Sequence, residues 1–209
     1  MPIRVTPIPF PEVNQMNAWV VWCPRSREAL VVDPGGWDDR IPGLLDRERL
    51  APVGIFLTHG HWDHTGGVGA ARQELGVPVL ASARTLAAVS DQVPGAEGRP
   101  LEEGDQVRVG GHEGTVHELT GHTDDQLVLY LEGHLMAGDT LFAAALGGTP
   151  DPARFHQQAA KLRRLLFRLP PDVVVHPGHG PVTEVGLERL FNPFLKGTEP
   201  HWKTALGGW

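Results

Sequence analysis

The sequence contains a single cysteine, Cys23, in 209 residues. One thiol cannot form an internal disulfide framework, nor can it build a cysteine-ligated zinc site. Aromatic residues amount to only 7%, with Tyr130 the sole tyrosine. No apolar run approaches the roughly 18 residues that suggest a membrane span. The opening Met1-Pro2-Ile3-Arg4-Val5-Thr6-Pro7 lacks the apolar stretch of a secretion signal. These absences lead to the expectation of a cytoplasmic protein without a membrane partner. Positive charge is also short: 18 Lys+Arg against 25 Asp+Glu leave a net charge of −7. That disfavours nucleic acid as a partner, because such a surface must be basic to displace phosphate counterions.

What is present is enough for a core. Hydrophobic residues make up 41% and charged residues 21%, unlike a disordered chain. The length suits one compact domain, expected over 1–209. With 26 glycines and 19 prolines, many tight turns between short elements are expected. Eleven histidines are conspicuous in a chain with so few aromatics.

Short apolar runs bounded by turn residues predict strands over 18–22, 29–32, 53–57, 77–80, 106–109, 114–119, 126–131, 134–137 and 172–176. Helices are predicted over 38–50, 66–75, 82–89 (capped by Ser82), 151–169 and 183–191, and 94–104 reads as a loop. In 151–169, Phe155, Ala159, Leu162, Leu165, Leu166 and Leu169 form one apolar face. Arg154, Gln158, Lys161, Arg164 and Arg168 form the opposite, solvated one. The mixture points to an α/β fold with a mixed sheet.

The segment Thr58-His59-Gly60-His61-Trp62-Asp63-His64 directly follows a predicted strand. Imidazole nitrogen and carboxylate oxygen are good donors for Zn²⁺ and Fe²⁺. Crowding four such groups together is costly unless a cation compensates. His59 and His61 can point one way, and Asp63 and His64, at the start of the next helix, toward a second ion. Three further fragments each follow a strand: Gly121-His122-Thr123, Gly138-Asp139-Thr140-Leu141-Phe142 and Pro177-Gly178-His179-Gly180-Pro181. Strand ends with Gly-flanked turns are where α/β proteins place their sites.

In this order and spacing, the four fragments resemble those of the metallo-β-lactamase fold superfamily. Within it the chain is similar to the glyoxalase II-like hydrolases, of the short bacterial hydroxyacylglutathione hydrolase type. Asn17 before a strand, the turn Val32-Asp33-Pro34-Gly35 and the stretch from Gly186 to Leu195 add to the likeness. The resemblance implies an αββα sandwich of two mixed sheets flanked by helices. It implies that His59, His61 and His122 bind one divalent ion and Asp63, His64 and His179 another, with Asp139 bridging. Zinc is the expected metal, with iron or manganese as alternatives. A water shared by the ions would attack a thioester or ester carbonyl. Asp63 has two open roles, as ligand and as catalytic acceptor that orients this nucleophile. Asp33 and Thr140 either support the ligands or simply form turns, and Trp62 either lines the site mouth or packs.

The rivals are a mononuclear-iron persulfide dioxygenase, a lactonase and a metal-holding module without catalysis. Departures from the longer glyoxalase II enzymes favour an open, apolar pocket. The stretch 143–150 lacks an arginine or aromatic cluster, Tyr130 lies in a strand, and Lys196, His201 and Lys203 are the only late cationic candidates. His112, His117, His134, His156, His176 and His201 fall outside the motifs and read as surface or structural, His176 being nearest the site. Cys23 reads as a buried inert thiol, since no Lys, His or helix start neighbours it in sequence. Trp202 and Trp209 suit an apolar cover or a dimer contact, leaving monomer or homodimer open, with a small thioester or ester as the substrate partner.

Overall fold

The computed structural model describes residues 1–93 and 98–196. The chain first lays down β1 (Arg4–Phe10), β2 (Met16–Trp22) and β3 (Glu28–Val32) as an antiparallel meander. β4 (Ala51–Phe56), β5 (Val79–Ala81) and β6 (Gly98–Pro100) then add in parallel. Their crossovers carry α1 (Arg40–Glu48), α2 (Trp62–Thr65), α3 (Val68–Leu75) and α4 (Ala83–Ala88). The second half supplies β7 (Gln106–Val109), β8 (His112–Glu118), β9 (Leu127–Leu131), β10 (His134–Gly138) and a small hairpin, β11 (Leu141–Phe142) with β12 (Ala145–Leu146). It ends with α5 (Pro152–Arg168), β13 (Val174–Pro177), β14 (Thr183–Glu184) and α6 (Val185–Phe191). The two six-stranded sheets run β1-β2-β3-β4-β5-β6 and β14-β13-β10-β9-β8-β7.

The period-two alternation of the strands generates the layers. Along β2, Trp19 and Val21 join Leu30, Val32 and Phe56 of the same sheet in a cluster with Val116, Leu127, Leu129 and Met136 of the other. Ala18, Val20 and Trp22 point outward, to Ile41, Leu44 and Leu45 of α1 and Val68 and Ala71 of α3. In the second sheet Val128, Leu135, Ala137 and Val175 face Phe155, Ala159, Leu162 and Leu166 of α5. The result is the αββα sandwich the resemblance implies. Burying each such side chain is worth about 1.5–3 kcal/mol. α5 starts on Asp151, whose Oδ1 accepts from Arg154 N at 2.9 Å, with Pro152 in its first turn. Ser82 caps α4 as expected, accepting from Thr85 N at 3.0 Å.

Several boundaries differ from the sequence reading. The stretch 94–104, read as a loop, contributes the edge strand β6. The helix expected over 183–191 opens with the two residues of β14. β1 is absent from the predicted strands, because Pro7 and Pro9 interrupt its pattern, yet as an edge strand it tolerates missing donors. Gln158, placed on the solvated face of α5, is fully buried and donates to Thr140 O and Gly147 O, both at 3.2 Å. No described helix is long and apolar enough to cross a membrane.

Candidate metal centre

All seven residues implied as ligands gather at one end of the sandwich. His59 follows β4, Asp63 and His64 lie in α2, His122 follows β8, Asp139 follows β10 and His179 follows β13. Three sets have mutually close ligand atoms, all within 4.8 Å: His59, His61 and His122; Asp63, His64 and His179; and His59, His64 and Asp139. Within the first, His61 Nδ1 lies 3.0 Å from His59 Nε2 and 3.1 Å from His122 Nε2. Within the second, Asp63 Oδ2 lies 3.4 Å from His179 Nε2. Asp139 stands between them: Oδ1 is 3.3 Å from His64 Nε2, and Oδ2 is 3.6 Å from both His122 Nε2 and His179 Nε2.

Groups behind the rings decide which nitrogens face inward bare. His122 Nδ1 lies 2.6 Å from Gly148 O, and a carbonyl can only accept. The Nδ1 therefore carries the proton and Nε2 keeps its lone pair. His64 Nδ1 lies 2.9 Å from Asp33 Oδ2, which fixes a proton on Nδ1 and leaves Nε2 to face Asp139, where a cation would take the place of a second proton. Asp33 Oδ2 also accepts from Thr58 Oγ1 at 2.7 Å, so that hydroxyl has spent its proton and accepts from His59 Nδ1 at 3.0 Å. Asp33 Oδ1 accepts from Thr58 N at 2.7 Å. One fully buried carboxylate thus orients two rings, resolving Asp33 toward support of the ligands. Thr140 takes no such part, since its hydroxyl is buried without a hydrogen-bond partner.

The centre suits a cation on electrostatic grounds. Burial pushes His59 far below the ordinary imidazole value, aided by the neighbouring His64. Burial, with His122 beside it, also lowers His61. Burial opposes charge on His64 too, yet the Asp139 and Asp33 carboxylates overcome it and hold it well above the ordinary value. Asp63 is pulled to about 2, burial being outweighed by hydrogen bonds from His179 and Asn14. Asp139 is driven still lower against its burial, chiefly by His64. His64 Nε2 and Asp139 Oδ1 are both buried without a hydrogen-bond partner. Unpartnered buried atoms of this kind are expensive, and a cation between them would satisfy both. A Cβ on Gly178 would collide with Asp139 Oδ1 and the His64 ring, so the cradle needs glycine there. The residues therefore fit a metal site, open to solvent beside the exposed His61.

The profile of the metallo-beta-lactamase superfamily matches residues 11–179. The chain belongs to that superfamily. As a member of it, the chain is a metal-dependent hydrolase in the broad sense, with glyoxalase II-like relatives. An uncharacterized protein of Aquifex aeolicus is 34% identical over 194 residues, covering 86% of this chain and 91% of that one. Hydroxyacylglutathione hydrolase GloC of Haemophilus influenzae is 26% identical, covering 93% and 98%. Among solved structures, BLEG-1 B3 metallo-beta-lactamase matches with a TM-score of 0.81 at 29% identity, covering 93% and 100%. TTHA1623 in a di-iron-bound form matches at 0.74 and 32%, covering 91% and 100%.

The histidines outside the superfamily motifs find other partners. His112 pairs with Glu132 at 3.1 Å and His117 with Glu103 at 2.9 Å. His176 does not join the centre. It packs edge-on against Trp19, its Nε2 lies 3.0 Å from His134 Nδ1, and burial lowers it to about 3. Trp62 is 66% exposed beside the ligands, so it does not pack. Cys23 is buried as expected but not isolated. Hydrogen bonds from Ser26, with His112 also in reach, lower its thiol to about 7. Sheet packing supplies that neighbour, which adjacency in sequence could not show. Lys196 lies by the Phe191 ring, 5.8 Å from its centroid. His201, Lys203, Trp202 and Trp209 lie outside the described residues. Supporting groups missed by sequence reasoning are Gly148, Gln158 and Asn14. Only tertiary contacts reveal them.

Proposed function

We propose that the chain is a binuclear hydrolase that cleaves a thioester of the hydroxyacylglutathione kind. His59, His61 and His122 would hold one divalent ion, Asp63, His64 and His179 the other, and Asp139 would touch both. Zinc suits this nitrogen-rich, carboxylate-bridged donor set, and iron is the alternative. Two such ions supply Lewis acidity toward a carbonyl oxygen and a nucleophilic water at neutral pH. The observation that carries the reading is the position of Asp139 between the two triads, within 3.3–3.6 Å of His64, His122 and His179.

The protein's own groups do the positioning. Asp63 stays ionised throughout the neutral range, so it accepts a proton-bearing partner at its carboxylate and orients it. Asp33, directly and through Thr58, and Gly148 O hold a proton on Nδ1 of His64, His59 and His122 and so turn each Nε2 toward the centre. The Phe142 ring stands edge-on to His179 at 6.1 Å, an apolar wall beside the polar centre. The GloC relative is matched over 98% of its length, which supports a glutathione thioester as substrate for a chain of this size.

The test is a panel of a hydroxyacylglutathione, a lactone, a β-lactam and a glutathione persulfide offered to metal-loaded protein, with oxygen uptake followed alongside. Thioester hydrolysis at the highest kcat/KM without oxygen uptake is expected. Oxygen consumption with a persulfide, or no turnover of any ester, contradicts the reading.

A further inference from the structure

The connection between β1 and β2 reaches one side of the centre. Asn14, at its tip, donates through Nδ2 to Asp63 Oδ2 at 2.7 Å. This is the same oxygen that lies 3.4 Å from His179 Nε2, so it faces the interior of the Asp63, His64 and His179 triad. A carboxylate oxygen has two lone pairs, and Asn14 occupies one while leaving the other for that interior. Three residues on, Asn17 clamps the loop that carries His179: its backbone N donates to Gly178 O at 2.7 Å and its Nδ2 to Gly180 O at 2.9 Å. Met16 forms an isolated antiparallel bridge with His179 itself. Among the described residues, this connection makes no hydrogen bond to His59, His61 or His122.

From this one-sided contact we infer that Asn14 is a positioning residue that sets cation affinity at the Asp63, His64 and His179 triad separately from the other triad. The inference rests on the two-ion reading of the centre. The alternative is that Asn14 serves only the turn. It adopts a left-handed backbone, φ 49°, followed by Gln15 at φ 54°, and asparagine tolerates that region better than most residues. The two roles separate under Asn14→Gly. Glycine accepts the left-handed conformation at least as well, so a turn role alone predicts no loss, whereas the positioning role is abolished with the carboxamide. Asn14 is exposed, and the variant should fold like the parent, which thermal unfolding checks.

The experiment is stepwise Co²⁺ titration of the metal-free full-length protein, followed by absorption and calorimetry, for the parent and Asn14→Gly. The parent should take two ions. In the variant one of the two steps should be unchanged and the other about tenfold weaker or more, the size of loss usual for an outer partner of a ligand. Two unchanged steps overturn the role of Asn14 while leaving the two-ion reading intact. Equal weakening of both steps also overturns it, since the effect would then be general. A parent that binds one ion only overturns both.

Discussion

Two carboxylates that look alike in sequence do different work. Asp139 touches both triads, so Asp139→Ala should release metal and abolish turnover together. Full activity in that variant would contradict the bridging assignment. Asp63 is both a triad member and an ionised acceptor, and Asp63→Asn should lower kcat by about 10² or more while changing KM less. An unchanged kcat would refute its catalytic role. Asp33 acts one layer out, on His64 and through Thr58 on His59. Asp33→Asn suits the same left-handed backbone, φ 48°, but replaces one of the two accepting oxygens with an NH2 donor. Metal affinity in chelator competition should fall about 10–100-fold, and parental affinity would show that Asp33 only shapes a turn. The candidate ligands were legible in the sequence because a His/Asp cluster at strand ends is too polar to serve as ordinary packing. Asn14, Gly148 and Gln158 were not, because nothing local distinguishes a supporting amide or carbonyl from any other.

Among the elements, α5 shows where pattern reading stops. Its apolar face was readable from spacing, yet Gln158 sits on the buried side and ties Thr140 O and Gly147 O together, bracing the loops that hold Asp139 and His122. Gln158→Leu keeps the volume roughly constant but leaves both carbonyls without that donor. It should cost about 1–3 kcal/mol in denaturant unfolding, and a neutral result would mean that the loops brace themselves. The edge strands were hidden for a different reason. Pro7 and Pro9 in β1 and the Gly-Arg-Pro of β6 carry weak strand propensity. Only pairing with β2 and β5 makes them strands.

For the whole molecule, the two sheets bring distant residues face to face, and pH dependence follows. His176, buried against Trp19, titrates near 3 rather than 6.5. Between those values the unfolded chain binds a proton that the native state refuses. Native stability therefore falls as pH drops from about 6.5 toward 3, by up to about 1.4 kcal/mol per pH unit from this one group. His176→Gln should flatten that slope in urea unfolding, and an unaltered slope would move the acid sensitivity elsewhere. The α/β class with a mixed sheet was legible because strand-like runs alternated with amphipathic helices, whereas the αββα layering came from the resemblance of the four fragments. The Cys23–His112 neighbourhood was not, because it exists only once β8 packs across from the end of β2. The most direct test of the central claim is the metal content of the purified, metal-saturated protein by elemental analysis. Two ions per chain, both lost in Asp139→Ala, is the expected result, and a single ion retained in that variant would contradict a centre shared through Asp139.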